Sequence, residues 1–219
     1  MPGKNMRVFA GKPLIWYTFE VAKRAKFISE VILSTDDPII AKFGKENGVQ
    51  VPFLRPRVLA KDNSSSADAL FYTIERIKRE RRQEIPVVVL LQPTSPLRLS
   101  SDIDQAVQIF FKKDADQVMS VCKMNHSSLW TKRIDNAGLL SDFYPKVSGR
   151  TGSGVALRTY IPNGAVYVYA THTLKLKEDA LPKRQLRVRP YIMPKERSID
   201  IDDQYDFWLA EKIFTKNRK

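Results

Sequence analysis

Ser198-Ile-Asp-Ile-Asp202 sets two carboxylates two residues apart. In an extended segment, residues at i and i+2 point the same way, so Asp200 and Asp202 share one side while Ile199 and Ile201 anchor the other. Paired hard oxygen ligands suit a Mg2+ ion whose shell is completed by phosphates, and the ion would neutralise charge developing on a departing pyrophosphate. The same spacing suits capping of a helix that begins at 203 equally well.

Three further stretches carry side chains that could do chemistry. Gln92-Pro-Thr-Ser-Pro-Leu-Arg98 directly follows an apolar run. Its two prolines fix the backbone, and Gln92, Thr94, Ser95 and Arg98 offer donors to a hydroxylated, anionic ligand. The alternative is a rigid loop capped by Ser100 or Ser101 before the next helix. The segment 54–66 places Arg55, a fork-shaped phosphate partner, ahead of Ser64-Ser-Ser66 at a helix N-terminus. Successive hydroxyls and backbone N–H groups there suit an anion, although plain N-capping by a serine explains them too. Lys4-Asn5 lies in the opening turn signal Met1-Pro-Gly-Lys-Asn5. His126 and His172 are too solitary for a metal site or a triad, and no GxSxG, HExxH, Walker A or CxxC pattern occurs.

Alternating elements must position these loops. Leu14, Thr18, Val21, Ala22 and Ala25 have helical spacing, and Glu30–Thr35 reads as a short strand. Asp37-Pro38 starts a helix that stops at Asn47-Gly48, with a short strand at 49–53. A helical pattern covers 67–82, and 86–91 is apolar on both faces, as a central parallel strand would be. Ile103, Ala106, Val107, Phe110 and Phe111 mark a helix over 102–113, ahead of a strand at 117–122 that holds Cys122. This alternation predicts βαβ units and a doubly wound parallel sheet. Residues 125–162 lose the period and read as a loop or arm containing Gly149-Arg-Thr-Gly-Ser-Gly154. Strands are expected at 164–169 and 187–193. A closing helix over 203–214 has Tyr205, Trp208, Leu209, Lys212 and Ile213 on one side. The whole chain, 1–219, reads as one domain.

The chain is basic, 37 Lys and Arg against 24 Asp and Glu for a net charge of +13. Such a balance points to a polyanionic partner, either nucleic acid or a nucleoside triphosphate with an acidic co-substrate. The nucleic-acid reading draws on charge alone, and no aromatic-basic stacking motif accompanies it. One cysteine cannot form an internal disulfide and no run of 18 apolar residues occurs, so a cytoplasmic protein outside the membrane is expected.

Taken in order, PGKN (2–5), AGKPLIWYT (10–18), VILSTDD (31–37), FLRP (53–56), SSSAD (64–68), LLQPTSPLR (90–98), PNGAVYVY (162–169) and SIDID (198–202) resemble the CMP-N-acetylneuraminate synthetase (acylneuraminate cytidylyltransferase) family. The resemblance implies a three-layer α/β/α, Rossmann-like fold with a mostly parallel sheet, of the nucleotide-diphospho-sugar transferase type, and a homodimer reached by the irregular arm at 125–162. It implies an enzyme joining CTP to an acidic nine-carbon 2-keto sugar, with release of pyrophosphate. Carried over by position, Lys4, Asn5, Arg55, Ser65 and Ser66 would hold CTP, and Asp200 and Asp202 would hold Mg2+. Lys4 would join those two aspartates as the catalytic set. Gln92, Arg150, Asn163 and Tyr167 would face the sugar.

The chain departs from the family in two places. Family members carry an apolar strand and a loop of the form Ala-Arg-x-Gly-Ser-Lys-Gly ahead of the PGKN-like turn, so the expectation is a gap in the sheet or a strand supplied another way. Many also carry Arg-Arg-Gln before PNGA, for which Arg150 is the candidate replacement. The alternative reading is therefore a weakly active or inactive homologue that binds nucleotide or dimerises.

Overall fold

The computed structural model describes residues 1, 3–60, 65–124, 131–134, 136–143, 159–175 and 186–216. A turn at Lys4–Met6 leads into a two-strand hairpin, β1 (Val8–Phe9) and β2 (Lys12–Pro13). Helix α1 (Leu14–Arg24) follows and buries Leu14, Ile15, Tyr17, Thr18, Phe19 and Ala22, one stripe of its surface. Helix α2 (Pro38–Glu46) starts as its sequence predicts. Asp37 accepts from the Ile39 and Ile40 backbone N–H groups, Pro38 occupies the first turn, and Gly48 takes the left-handed φ of +72° just past the end. The remaining order is α3 (Ser66–Arg81), β3 (Val87–Leu90), α4 (Ser100–Lys112), β4 (Gln117–Lys123), β5 (Lys132–Ile134), β6 (Leu140–Asp142), β7 (Tyr160–Ala170), β8 (Val188–Met193) and α5 (Gln204–Lys216).

One sheet has the order β3-β7-β4-β8. β7 runs antiparallel to both β3 and β4, and β4 runs parallel to β8. Three strands therefore share a direction and β7 reverses it. Ile103, Ala106, Val107 and Phe110 of α4 pack on Val118, Val166 and Val168 of the sheet. A second cluster joins Phe9, Leu14, Tyr17, Leu97, Ile201, Phe207 and Ala210, and so fastens the opening hairpin and the 201 segment to α1 and α5.

The apolar run at 86–91 is not central in this sheet: among the described residues β3 has its ladder with β7 alone. An apolar run reports cover on a strand's two faces and says nothing of partners at its two sides. The segments 30–35 and 49–53 fall short of full strands and share one parallel bridge, Ile32 to Gln50. No ladder among the described residues joins 31–33 to β3.

Helix α5 also turns the other way from expectation. Tyr205, Trp208 and Lys212 are exposed, while Phe207 and Ala210 are buried and Ile213 and Phe214 pack beside them. Both faces carry apolar residues three and four apart, so the period alone does not choose between them. The choice is made by Phe9, whose ring meets Phe207 and Phe214 edge-on, each at 5.5 Å. Phe111 of α4, expected in the stripe, is exposed for the same kind of reason: it lies at the edge of that stripe, with its ring against Phe110. Among the described residues no helix is long and apolar enough to cross a membrane.

Candidate active site

The ladder between β4 and β7 slips between Met119 and Val121. Met119 faces Tyr167 but Val121 faces Pro162, so Asn163–Val166 bulges opposite Ser120. Gly164 sits in that bulge at a φ of +69°, a conformation that costs other L-residues about 1–2 kcal/mol. Buried side chains satisfy the backbone that the ladder leaves open. Ser120 Oγ accepts from Val166 N at 2.7 Å and donates to Asn163 Oδ1 at 2.6 Å, and Asn163 Oδ1 accepts from Ala165 N at 3.3 Å. Ser95 Oγ donates to the Asn163 carbonyl at 3.2 Å, and Arg98 Nη1 donates to the Ala165 carbonyl. Bulges re-aim side chains beside functional sites, and two polar groups converge on this one.

Those groups are Gln92 and Asp200. A Cβ placed on Gly164 would lie 2.5 Å from Gln92 Oε1 and 2.6 Å from Asp200 Oδ2, so both side chains converge on the bare Cα. Asp200 Oδ1 is buried without a hydrogen-bond partner. Burial pushes the Asp200 carboxyl above the usual carboxylate range, and neighbouring Asp202 adds to the rise; the Thr94 hydroxyl and Lys4 oppose it. Lys4 Nζ donates to the Ile201 carbonyl at 2.8 Å and stands 3.5 Å from Asp202 Oδ1. The Asp202 side chain is 83% exposed. Ile201 is fully buried, and its N–H donates to the Thr94 carbonyl at 2.9 Å, which docks the SIDID segment on the loop after β3. Tyr167 is half-buried nearby, its phenol raised by burial and then by the Asp200 charge, with its ring stacked on Tyr169 at 6.2 Å.

Capping of α5 does not consume these carboxylates. Asp203 Oδ1 accepts from the N–H groups of Tyr205 (2.8 Å) and Asp206 (2.9 Å), and Asp206 Oδ2 reaches back to the N–H groups of Asp202 and Asp203. This reciprocal cap leaves Asp200 and Asp202 free for a ligand. Asp203→Ala is accordingly expected to cost about 1 kcal/mol of stability, read as a lower thermal midpoint, with turnover retained.

The other expected residues fall in different places. Asn5 is half-buried in the turn with Lys4. Arg55 takes its contacts elsewhere: its guanidinium is 3.5 Å from Asp36 Oδ1, and its Nε is buried without a hydrogen-bond partner. Ser65 is the N-cap of α3, accepting from Asp68 N at 3.0 Å, and Ser66 opens that helix. Arg150 lies outside the described residues. Asn163 is 3% exposed and turned inward; its amide donates to Ser198 Oγ at 2.9 Å and to Met193 Sδ at 3.3 Å. Ser95 and Arg98 are also turned inward, at 0% and 1% exposed, where the sequence suggested ligand donors. No serine caps α4. Leu99 holds the N-cap position, and the Asp102 carboxylate accepts from its N–H at 2.8 Å. The contribution of Gly164 was missed, although a glycine inside a strand pattern is itself a sign of a bulge or a close approach.

An orphaned, buried carboxylate oxygen next to a solvent-facing carboxylate fits a hard divalent cation. Asp200 and Asp202 would hold it. Among the described residues no third His, Cys, Asp or Glu joins them, and the rest of the shell would come from water and ligand oxygens, as Mg2+ prefers.

Comparison with known proteins adds to this geometry. Residues 1–142 match the family model described as Cytidylyltransferase. The CMP-N,N'-diacetyllegionaminic acid synthase of Legionella pneumophila is 31% identical over 224 residues, an alignment covering 100% of this chain and 92% of that protein. The N-acylneuraminate cytidylyltransferase of Escherichia coli is 31% identical over 217 residues, covering 99% of this chain and 49% of the relative. Among solved structures, a CMP:2-keto-3-deoxy-manno-octonic acid synthetase complexed with CTP superposes with a TM-score of 0.66 at 16% identity, covering 99% of this chain and 93% of that one. That likeness supports the three-layer α/β/α arrangement.

Proposed function

We propose, from the premise that this chain belongs to the cytidylyltransferase family, that it joins CTP to an acidic nine-carbon 2-keto sugar, giving a CMP-sugar and pyrophosphate. The observation that carries the reading is the convergence of Gln92 and Asp200 on Gly164, with Lys4 and Asp202 alongside. In the reaction the anomeric hydroxyl of the sugar attacks the α-phosphorus of CTP. The new P–O bond forms as the bond from the α-phosphorus to the oxygen bridging the β-phosphate breaks, pyrophosphate leaves, and the hydroxyl proton is released to solvent. The protein's tasks are therefore alignment and neutralisation of charge. Mg2+, when bound, would supply Lewis-acid neutralisation of the phosphate oxygens.

Lys4 brings a cation to the Asp202 carboxylate and holds the Ile201 carbonyl, which ties the turn at 4–6 to the SIDID segment. Asn5 and Arg55 serve as further nucleotide contacts, and Ser65 and Ser66 present the start of α3 to the triphosphate. Gln92 and Tyr167 face the sugar. Asn163 acts on it from beneath, by holding the bulge. The reading includes a cytoplasmic setting and a homodimer. In support of the latter, Ile134, Leu139 and Leu140 of the β5–β6 hairpin are 72%, 66% and 67% exposed; sedimentation should find twice the chain mass.

The test is pyrophosphate release from CTP, Mg2+ and a panel of neuraminic, legionaminic and pseudaminic acids. Release that needs both CTP and one acid is expected. Binding of CTP without release would favour the nucleotide-binding homologue instead.

A further inference from the structure

Arg98 is 1% exposed, and its guanidinium is spread over three acceptors from three different elements. Nη1 donates to the Gln92 carbonyl at 3.2 Å and to the Ala165 carbonyl, and Nη2 donates to Thr18 Oγ1 at 2.7 Å. No carboxylate lies within ion-pair distance among the described residues. Its charge is balanced at longer range by Asp102 and Asp200, and burial pulls its pKa down to about 10, so it remains a cation at neutral pH. A buried guanidinium without a paired carboxylate is costly, and the position of its donors shows what it does.

The β3–β7 ladder pairs Val87 with Ala170 and ends at Leu90 with Tyr167. Continued past Leu90, that register would set Leu91 against Val166 and then Gln92 against Ala165, and it is the carbonyls of this second pair that Arg98 bridges. The guanidinium lies where the two strands part, bonded to residues on both strands, and Gln92 Oε1 and Asp200 Oδ2 both approach the neighbouring Gly164. Thr18 anchors the far side of the guanidinium to α1.

We propose that Arg98 is a positioning residue: by clamping the Gln92 and Ala165 carbonyls where β3 and β7 separate, it sets the Gln92 side chain against Asp200 for the sugar substrate. The inference rests on the cytidylyltransferase reading for its kinetic consequence and on geometry alone for its structural one. A lysine can place a charge there but cannot span both carbonyls and Thr18, because it lacks the planar fork.

The experiment uses the full chain with Arg98→Lys and Thr18→Val, the second reaching the fork through the Arg98 Nη2 bond. Two readouts are taken: the Gln92 side-chain amide resonances in a 15N correlation spectrum, identified by their loss in Gln92→Glu, and the KM values for sugar and for CTP. The expected result is a shift or broadening of the Gln92 amide pair in both variants, larger in Arg98→Lys. With it, the sugar KM should rise on the order of tenfold to a hundredfold in Arg98→Lys while the CTP KM stays unchanged. Unchanged Gln92 resonances in folded Arg98→Lys, or equal changes in both KM values, would overturn the proposal. If Arg98→Lys does not fold, Thr18→Val decides alone: an unmoved Gln92 pair overturns it. If the wild-type chain releases no pyrophosphate with any acid, the functional reading falls, and the Gln92 resonances still judge the clamp.

Discussion

Asp200→Asn is expected to lose about a thousandfold in kcat/KM and yet to melt at a higher temperature than the wild-type protein when no divalent ion is present. The first effect follows from the loss of one of the two carboxylates proposed to hold Mg2+, which would contribute several kcal/mol to the transition state. The second follows from burial. The Asp200 carboxyl is raised above its usual range, chiefly by desolvation, so the folded chain holds that proton more tightly than the unfolded chain. Stability then falls as pH climbs from the ordinary carboxylate value through the raised one. As pH rises toward 7.5 the penalty grows in the wild type and is absent from the asparagine variant. Below about pH 4, where the unfolded aspartate is protonated too, the gap between them should close. Mg2+ should raise the wild-type midpoint and leave the variant's unmoved. Calorimetry at both pH values, with and without Mg2+, measures all of this. A wild-type midpoint above that of Asp200→Asn at pH 7.5 without metal would contradict the burial argument, and full activity of the variant would remove Asp200 from the metal site.

Gly164→Ala is the second large effect. The backbone φ of +69° costs an alanine about 1–2 kcal/mol, and its methyl would stand 2.5 Å from Gln92 Oε1 and 2.6 Å from Asp200 Oδ2. Both neighbours belong to the proposed site, and the methyl can be accommodated only by moving one of them. A displacement near 1 Å in a site built on alignment costs on the order of a hundredfold. The expectation is therefore a drop of that size in kcat/KM with a thermal midpoint lowered by several degrees, since about 1 kcal/mol corresponds to about 2–4 °C for a chain of this size. Gly48→Ala is a control for backbone strain alone: φ there is +72° and open space surrounds the position of the Cβ. It should share the midpoint change and spare the kinetics. Equal loss of activity in the two variants would show that strain, and not the crowding of Gln92 and Asp200 by the methyl, was responsible.

Some of the local geometry could be read in advance because short motifs carry their own geometry. Ile199 and Ile201 do anchor the SIDID segment, with Ile201 fully buried, and alternation alone requires that of an extended stretch. Asp37-Pro38 and Asn47-Gly48 delimit α2 as they should, since caps act within a turn of their own position. Other assignments depended on partners far away in the chain. Asp203 and Asp206, not the SIDID pair, cap α5, and nothing in the spacing separates the two possibilities. Asn163 and Arg98 carry donor groups that a ligand could use, but whether a donor faces a ligand or its own backbone is settled by what lies opposite. Here Ser120, Ser198 and the Ala165 carbonyl lie opposite.

The sequence by itself determined the family, the places of the helices and the caps of α2, the alternation of α and β elements, and the residue types available for charge neutralisation. These are local or are repeated along the chain. The tertiary structure alone decided that β7 reverses between β3 and β4, which face of α5 is buried, and that a bulge at Gly164 is where Gln92 and Asp200 meet. Each of these depends on groups tens of residues apart, from Phe9 against Phe207 to Arg98 against Ala165. Such pairings are chosen by the sum of packing and hydrogen bonding across the whole fold, which no local period encodes.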